Sequence, residues 1–261
     1  MGQLDLSVPS LSRAWDYLLG GKNNFQVDRD AVDGMFDVFT GWRALALMQR
    51  RFLGRAVQYL VAEAGIRQII DVGSGFPTRM NVHEMAQQIE PDARVLYVDN
   101  DPSVLAHARA IVADDRRSAA ILADVTTPMT ILRHPMTRRL LDLREPYAVL
   151  LCGVLHHLAD DQGPMSVTQQ LQEAMTPGSY LVMSNFLDDD SPLAAEAERA
   201  IHKALGTGRF RTWEEQTPYL YGLGPVEPRF VYADDWRPDE FTPKNSPEHT
   251  FLAAGVGQVA G

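Results

Sequence analysis

The run Ile69-Ile70-Asp71-Val72-Gly73-Ser74-Gly75 decides how the rest of the chain is read. Residues 68–72 have the apolar, β-branched character of a buried strand, and a glycine turn follows the acid directly. Glycines at that point let backbone approach a bound nucleoside closely, and the helix predicted beyond them offers free N–H groups at its start. A carboxylate at the strand end, Asp71, suits a cationic or hydroxyl-bearing ligand. By itself the run fits an ordinary strand-to-helix turn equally well, because such turns also use glycine.

Outward from this turn, short apolar runs alternate with amphipathic segments. Strands are predicted over residues 94–98, 119–122, 148–152 and 180–184, and helices over 80–89, 102–112, 129–141, 167–175 and 193–205. Asp101 stands where a helix cap is needed, with Pro102 at the first helical position, where its missing N–H costs nothing. Asn81 and Glu84 have capping-box spacing, which would start the helix after the glycine turn late. Strands alternating with helices read as βαβ units in a mostly parallel sheet covered on both faces, with ligands beyond the carboxyl ends of the strands. Residues 226–232 and 250–256 would close it as an antiparallel pair. Ahead of this unit, residues 1–65 read as a helical extension. Leu11, Trp15, Leu18 and Leu19 share one face behind a Ser10 or Ser12 cap, and Gly20-Gly21 ends that helix. A second helical stretch covers about residues 28–60, with a break near Thr40-Gly41. The expected organisation is an N-terminal extension, 1–65, on a ligand-binding unit, 66–261.

Two more acids keep step with Asp71. Asp99 follows the strand at 94–98, where a carboxylate accepts hydrogen bonds from the two ribose hydroxyls of a nucleoside cofactor. Asp124-Val125 follows the third strand and offers a side-chain acceptor and a backbone N–H to an adenine edge. Either acid alone reads as a turn former or helix cap. At three successive strand ends they point to an adenosine site. Thr78 stands where nicotinamide enzymes favour a third glycine, and no Gly-rich loop ending in Lys-Ser/Thr is present, so a cofactor without phosphates is favoured.

Asp71 to Gly75, Asp99, Asp124-Val125 and the stretch Leu151 to Leu158 resemble successive motifs of class I S-adenosylmethionine-dependent methyltransferases, with a Rossmann-like, seven-stranded, mostly parallel sheet. Residues 17–25, 76–84 and 97–102 further resemble an actinobacterial methyltransferase family long catalogued as a domain of unknown function. That resemblance implies S-adenosylmethionine as cofactor. It implies Asp71, Gly73, Ser74 and Gly75 around the methionine part, and Asp99 and Asn100 at the ribose. Asp124 and Val125 would meet adenine, and the Cys152-Gly153 backbone would lie beside the sulfonium. Pro77 departs from the broader motif, which has a third glycine there.

Composition narrows the acceptor. The chain has 261 residues and a formal charge of −10, which argues against nucleic acid and anionic membrane as partners. One cysteine, Cys152, excludes an intrachain disulfide and paired-cysteine zinc sites. No metal-ligand spacing, basic leader or membrane-length apolar run is found, so a cytoplasmic enzyme acting on a small molecule is expected. A hydroxyl acceptor would need a base, and His156 and His157, after the fourth strand, are the candidates; the alternative is a structural pair. Tyr17, Lys22 and Asn23, around the glycine break, would reach the cofactor carboxylate or the acceptor from a lid, unless Gly20 is simply a helix cap. Two other readings stay open: a cofactor-binding sensor without catalysis, and an NAD-dependent oxidoreductase.

Overall fold

The computed structural model of the chain describes residues 7–78 and 80–261. Three helices come first: α1 (Leu11–Leu18), α2 (Gln26–Phe36) and α3 (Trp42–Gln58), the last widening into a π turn at Tyr59–Glu63. Ser10 caps α1, its hydroxyl accepting from the Arg13 amide at 3.5 Å. The alternating unit follows as β1 (Gln68–Val72), α4 (Val82–Ile89), β2 (Arg94–Asp99), α5 (Pro102–Ile111) and β3 (Ser118–Leu122). It continues with α6 (Pro128–Arg133), α7 (Pro135–Leu140), β4 (Ala148–Cys152), α8 (Pro164–Ala174), β5 (Tyr180–Phe186) and α9 (Pro192–Leu205). A one-turn α10 (Trp213–Gln216) leads to β6 (Leu223–Pro225), β7 (Val231–Tyr232) and β8 (Leu252–Val259).

The sheet order is β3-β2-β1-β4-β5-β8-β6, with β1 to β5 parallel and β8 antiparallel to β5. The expected seven positions are present, but the last is shared by two short strands. β6 pairs with Gly257 to Val259, and β7 pairs with Ala253 and Ala254, whose other edge is taken by β5. The strand expected over 226–232 is reduced to β7 at 231–232, and Pro228, which has no amide donor for the ladder, lies in the part that does not pair. The helix expected over 129–141 is likewise split into α6 and α7. Pro135 excludes helical backbone at His134, which sits at φ −59°, ψ 137°. α4 begins at Val82, as the late-start reading expects, with the Asn81 amide donating to the Glu84 carboxylate at 2.6 Å.

Alternate strand residues feed two cores. Ile69, Val95, Tyr97, Leu150 and Val182 face a core shared with α1 to α4 and α9. Ile70, Leu96, Val98, Val149 and Leu181 face a second core under α6 to α8. The sheet is therefore buried on both faces, which sends its strand ends and their turns to the one edge where polar groups remain available.

Candidate active site

A cavity of about 280 Å³ lies across the carboxyl ends of β1 to β4. Its floor comes from the residues that the spacing of strands singled out: Asp71, Gly73, Ser74, Gly75, Asp99, Asn100, Asp124, Val125, Cys152 and Gly153 all line it. Gly73 has φ +67°, and a Cβ there would meet Val154 Cγ2 at 2.6 Å, so the turn requires glycine. The turn is tied to β2 by the Gly73 amide donating to the Val98 carbonyl at 2.8 Å.

The carboxylates have different surroundings. Asp99 accepts from the Gly75 amide at 2.9 Å and the Asp101 amide at 2.9 Å; burial still raises its pKa above the usual range, against the pull of those donors. For Asp124, partial burial disfavours ionisation, but the Thr126 amide and hydroxyl, at 2.8 and 2.7 Å, outweigh it and hold the carboxyl low. Asp71 accepts no hydrogen bond among the described residues. Burial, and the nearby Asp99 charge, raise it to about 7 although the Arg50 guanidinium pulls the other way.

The roof was not legible in the sequence. Leu11, Ser12, Trp15, Asp16 and Leu19 of α1 and its following turn line the cavity, as do Gln49, Arg50 and Leu53 of α3. α1 runs over the strand ends from β2 to β5. At its start the Ser10 hydroxyl donates to Asp101 at 3.0 Å, and further along Trp15 meets His157 and Phe186, each with ring centroids 5.9 Å away. Tyr17, Lys22 and Asn23 are not among the lining residues; Tyr17 belongs to α1 itself, and the residues of that helix that line the cavity are Leu11, Ser12, Trp15 and Asp16. The Tyr17 hydroxyl donates to Asp33 at 3.1 Å, Lys22 is exposed, and the Asn23 amide donates to Asp16 at 2.7 Å. Asn24 adds a side-chain donor to Asp16 at 2.8 Å, and a Cβ on Gly21 would collide with that carboxylate at 2.0 Å. The glycine-rich segment wraps the buried Asp16 and so fixes the end of α1.

His157 lines the cavity and His156 lies behind it. The Phe186 amide donates to His156 Nδ1 at 3.2 Å, which leaves the His156 proton on Nε2, 3.0 Å from His157 Nε2. His157 then carries its proton on Nδ1. Burial pushes His157 down to about 3 and His156 well below its ordinary value, helped by the neighbouring imidazole and Arg211. Both rings are neutral at neutral pH.

Over residues 1–260 the chain matches the model of a family described as S-adenosyl methyltransferase. The chain belongs to that family. Crystal structures agree: a Thermobifida fusca YX protein described as a candidate methyltransferase is 42% identical, with TM-score 0.94 over 98% of this chain and 97% of that one. A DUF574 family protein from Streptomyces avermitilis MA-4680 is 32% identical, with TM-score 0.93 over 98% of this chain and all (100%) of that one. The N-methyltransferase NodS from Bradyrhizobium japonicum WM9, at 13% identity, TM-score 0.51 and coverage of 81% and 87%, shares the fold alone. No protein of curated function matches the chain. Membership of the S-adenosyl methyltransferase family makes S-adenosylmethionine the cofactor and removes the nicotinamide alternative. Among the described residues no helix of this methyltransferase is long and apolar enough to cross a membrane.

Proposed function

We propose that this methyltransferase acts on a small-molecule acceptor taken up beneath α1. The observation that carries the reading is the two-sided cavity: strand-end carboxylates and glycine backbone below, and Leu11, Trp15, Leu19 and Leu53 above. A polar, hydrogen-bonding floor fits an adenosine, and the apolar side chains of the roof keep water from the reacting centre. Asp99, pinned by two amides, retains lone pairs for both ribose hydroxyls, with Asn100 beside it. Asp124 and the Val125 amide take the adenine edge. Gly73, Ser74 and Gly75 cradle the methionine part, and the Cys152-Gly153 backbone lies alongside the sulfur. Gly75, at φ +65°, has no atom within 4 Å of where a Cβ would stand, so its open face is available to that ligand.

When bound, S-adenosylmethionine supplies an electrophilic methyl group on a sulfonium. The protein's task is to hold a nucleophile in line with it and keep the site dry. His156 and His157 are proposed to position rather than to abstract a proton, because the lone pair of His157 Nε2 is already engaged by His156. A neutral amine, a carboxylate, or a phenol ionised elsewhere suits such a site. The excess of acids over bases, 34 against 24, gives no general attraction for nucleic acid.

A screen with methyl-labelled S-adenosylmethionine against small amines, carboxylic acids and phenols, beside transfer RNA, duplex DNA and a protein lysate, tests this. Label is expected in small molecules. Label confined to the macromolecules overturns it.

A further inference from the structure

Two side chains that line the cavity keep a buried polar atom without a hydrogen-bond partner among the described residues, Gln49 Oε1 and His157 Nδ1. Gln49 donates its Nε2 to the Cys152 carbonyl at 3.0 Å and lies against Gly153, where a Cβ would meet it at 2.1 Å, so it belongs to the donor's end. His157 follows in the turn after β4. The other lining residues of that turn and of the segment after α9, Leu158, Gln162 and Thr207, are uncharged and have no part in holding the donor. The Thr207 hydroxyl donates to the His157 carbonyl at 2.7 Å and the Arg209 amide to the His156 carbonyl at 2.7 Å, which fixes the backbone of both histidines. The proton on His157 Nδ1 is set from behind. The Phe186 amide of β5 claims His156 Nδ1, the His156 proton claims His157 Nε2, and His157 is left with a donor and nothing to receive it. Buried N–H groups in that condition are rare and costly, and in the wall of a cavity one marks the place of a ligand's acceptor atom.

We propose that His157 positions the methyl acceptor and that this acceptor is a carboxylate, one oxygen of which takes the Nδ1 hydrogen bond while the other attacks the methyl group. The proposal rests on the reading of this cavity as the site of transfer to a small molecule. A carboxylate arrives ionised at neutral pH. An alkylammonium or a phenol, with ordinary values of about 10, would first have to lose a proton, and the lone pair of His157 that could take it is occupied by His156. A carboxylate also has two oxygens, so the atom that is held is not the atom that reacts. Of the acids that line the cavity, Asp16 is taken up by Asn23 and Asn24, and Asp71, Asp99 and Asp124 belong to the donor's floor; the charge presented to the acceptor is the sulfonium. The step moves no proton. An oxygen lone pair forms the bond to the methyl carbon as the carbon–sulfur bond breaks, the electron pair stays on sulfur, and the product is a neutral methyl ester.

The chemistry of the product tests the class. The full chain is incubated with methyl-labelled S-adenosylmethionine and benzoate, phenylacetate or hexanoate, and in parallel with benzylamine or phenol. Label is expected in the acids, in a form that mild alkali releases as methanol. Alkali-stable label in benzylamine or phenol, or no label in any of the acids, overturns the proposal. Label confined to transfer RNA, DNA or lysate protein overturns instead the small-molecule reading beneath it. The role of His157 is tested with the acid that is methylated fastest. His157→Leu is expected to lose at least roughly tenfold in kcat/KM, and His157→Asn, whose amide nitrogen stands as many bonds from Cα as Nδ1 does, to recover most of that loss. Affinity for S-adenosylhomocysteine, read by calorimetry, is expected to stay within about twofold in both variants and so reports an intact donor site. Unchanged kcat/KM in His157→Leu, or equal loss in the two variants, overturns the assignment of Nδ1.

Discussion

The floor of the cavity is made by four strand ends, three of which carry carboxylates one βαβ unit apart, while its roof is made by two helices that approach from outside the alternating pattern. On the floor, position follows from the sheet. Once β1, β2 and β3 are parallel neighbours, Asp71, Asp99 and Asp124 fall on one edge, whatever packs above them. On the roof, position follows from docking. α1 is held by the Ser10 hydroxyl on Asp101 and by a buried pair between Arg13 and Asp28, whose Nε–Oδ2 distance is 2.7 Å. The floor and the α1 part of the roof should respond differently to alteration, the floor through ligand affinity and α1 through local order.

The sharpest test of that difference is Asp99→Ala. It removes the proposed ribose acceptor and leaves the Gly75 and Asp101 amides without their partner, so S-adenosylhomocysteine affinity should fall by about 3 kcal/mol, roughly a hundredfold. Calorimetry reads it, and a loss under about threefold would show that the floor does not carry the nucleoside. A smaller effect is expected from pH. Asp71 faces Arg50 from α3 and Asp99 from β2, with Tyr97 and Cys152 close by, and its carboxyl lies at about 7. A cationic ligand group favours the ionised form, so binding should release a proton. Affinity should therefore drop roughly tenfold from about pH 7.5 to about pH 6 and level off above. The same raised value works against folding as pH rises from about 4 through 7, because the unfolded carboxylate ionises first. Proton release is measured by repeating calorimetry in buffers of different ionisation enthalpy; none at about pH 6.5 would place the ligand cation elsewhere. The smallest effect belongs to the roof. Asn24→Ala deletes one donor to Asp16 and should cost about 1 kcal/mol in thermal unfolding, with donor affinity within roughly twofold. A large affinity loss there would erase the distinction between the halves.

The contrast also explains what could be read beforehand. Short apolar runs and the glycine turn locate the ends of β1 to β4 to within a residue, so the floor was legible. Arg50 and Arg51 are adjacent in one helix, and nothing local separates them. Yet Arg50 turns into the cavity while Arg51 pairs with the buried Asp234 at 3.3 Å. About 100° of helical rotation sets them apart, and its meaning depends on how α3 sits on the sheet. Trp15 likewise shares an apolar face with Leu18, but Leu18 enters the core and Trp15 covers the site. The polar run at 22–24 drew attention as a candidate ligand-contacting segment. Its donors turn instead to Asp16, a carboxylate that carries no strand-end signature. The division of α6 from α7 was available in Pro135, whose effect on the preceding residue is local.

The antiparallel strand β8 has a consequence for how the molecule is made. It lies between β5 and the two short strands β6 and β7, joining Tyr180 to Gln258 and Phe186 to Leu252. As the chain leaves the ribosome, the five parallel strands can assemble while β5 still presents an unpaired edge of seven buried residues. That edge remains a template for pairing with other chains until β8 is synthesised. Nascent chains stalled between β5 and β8 are the species most exposed to aggregation, and the last strand to arrive is the one that ends the hazard.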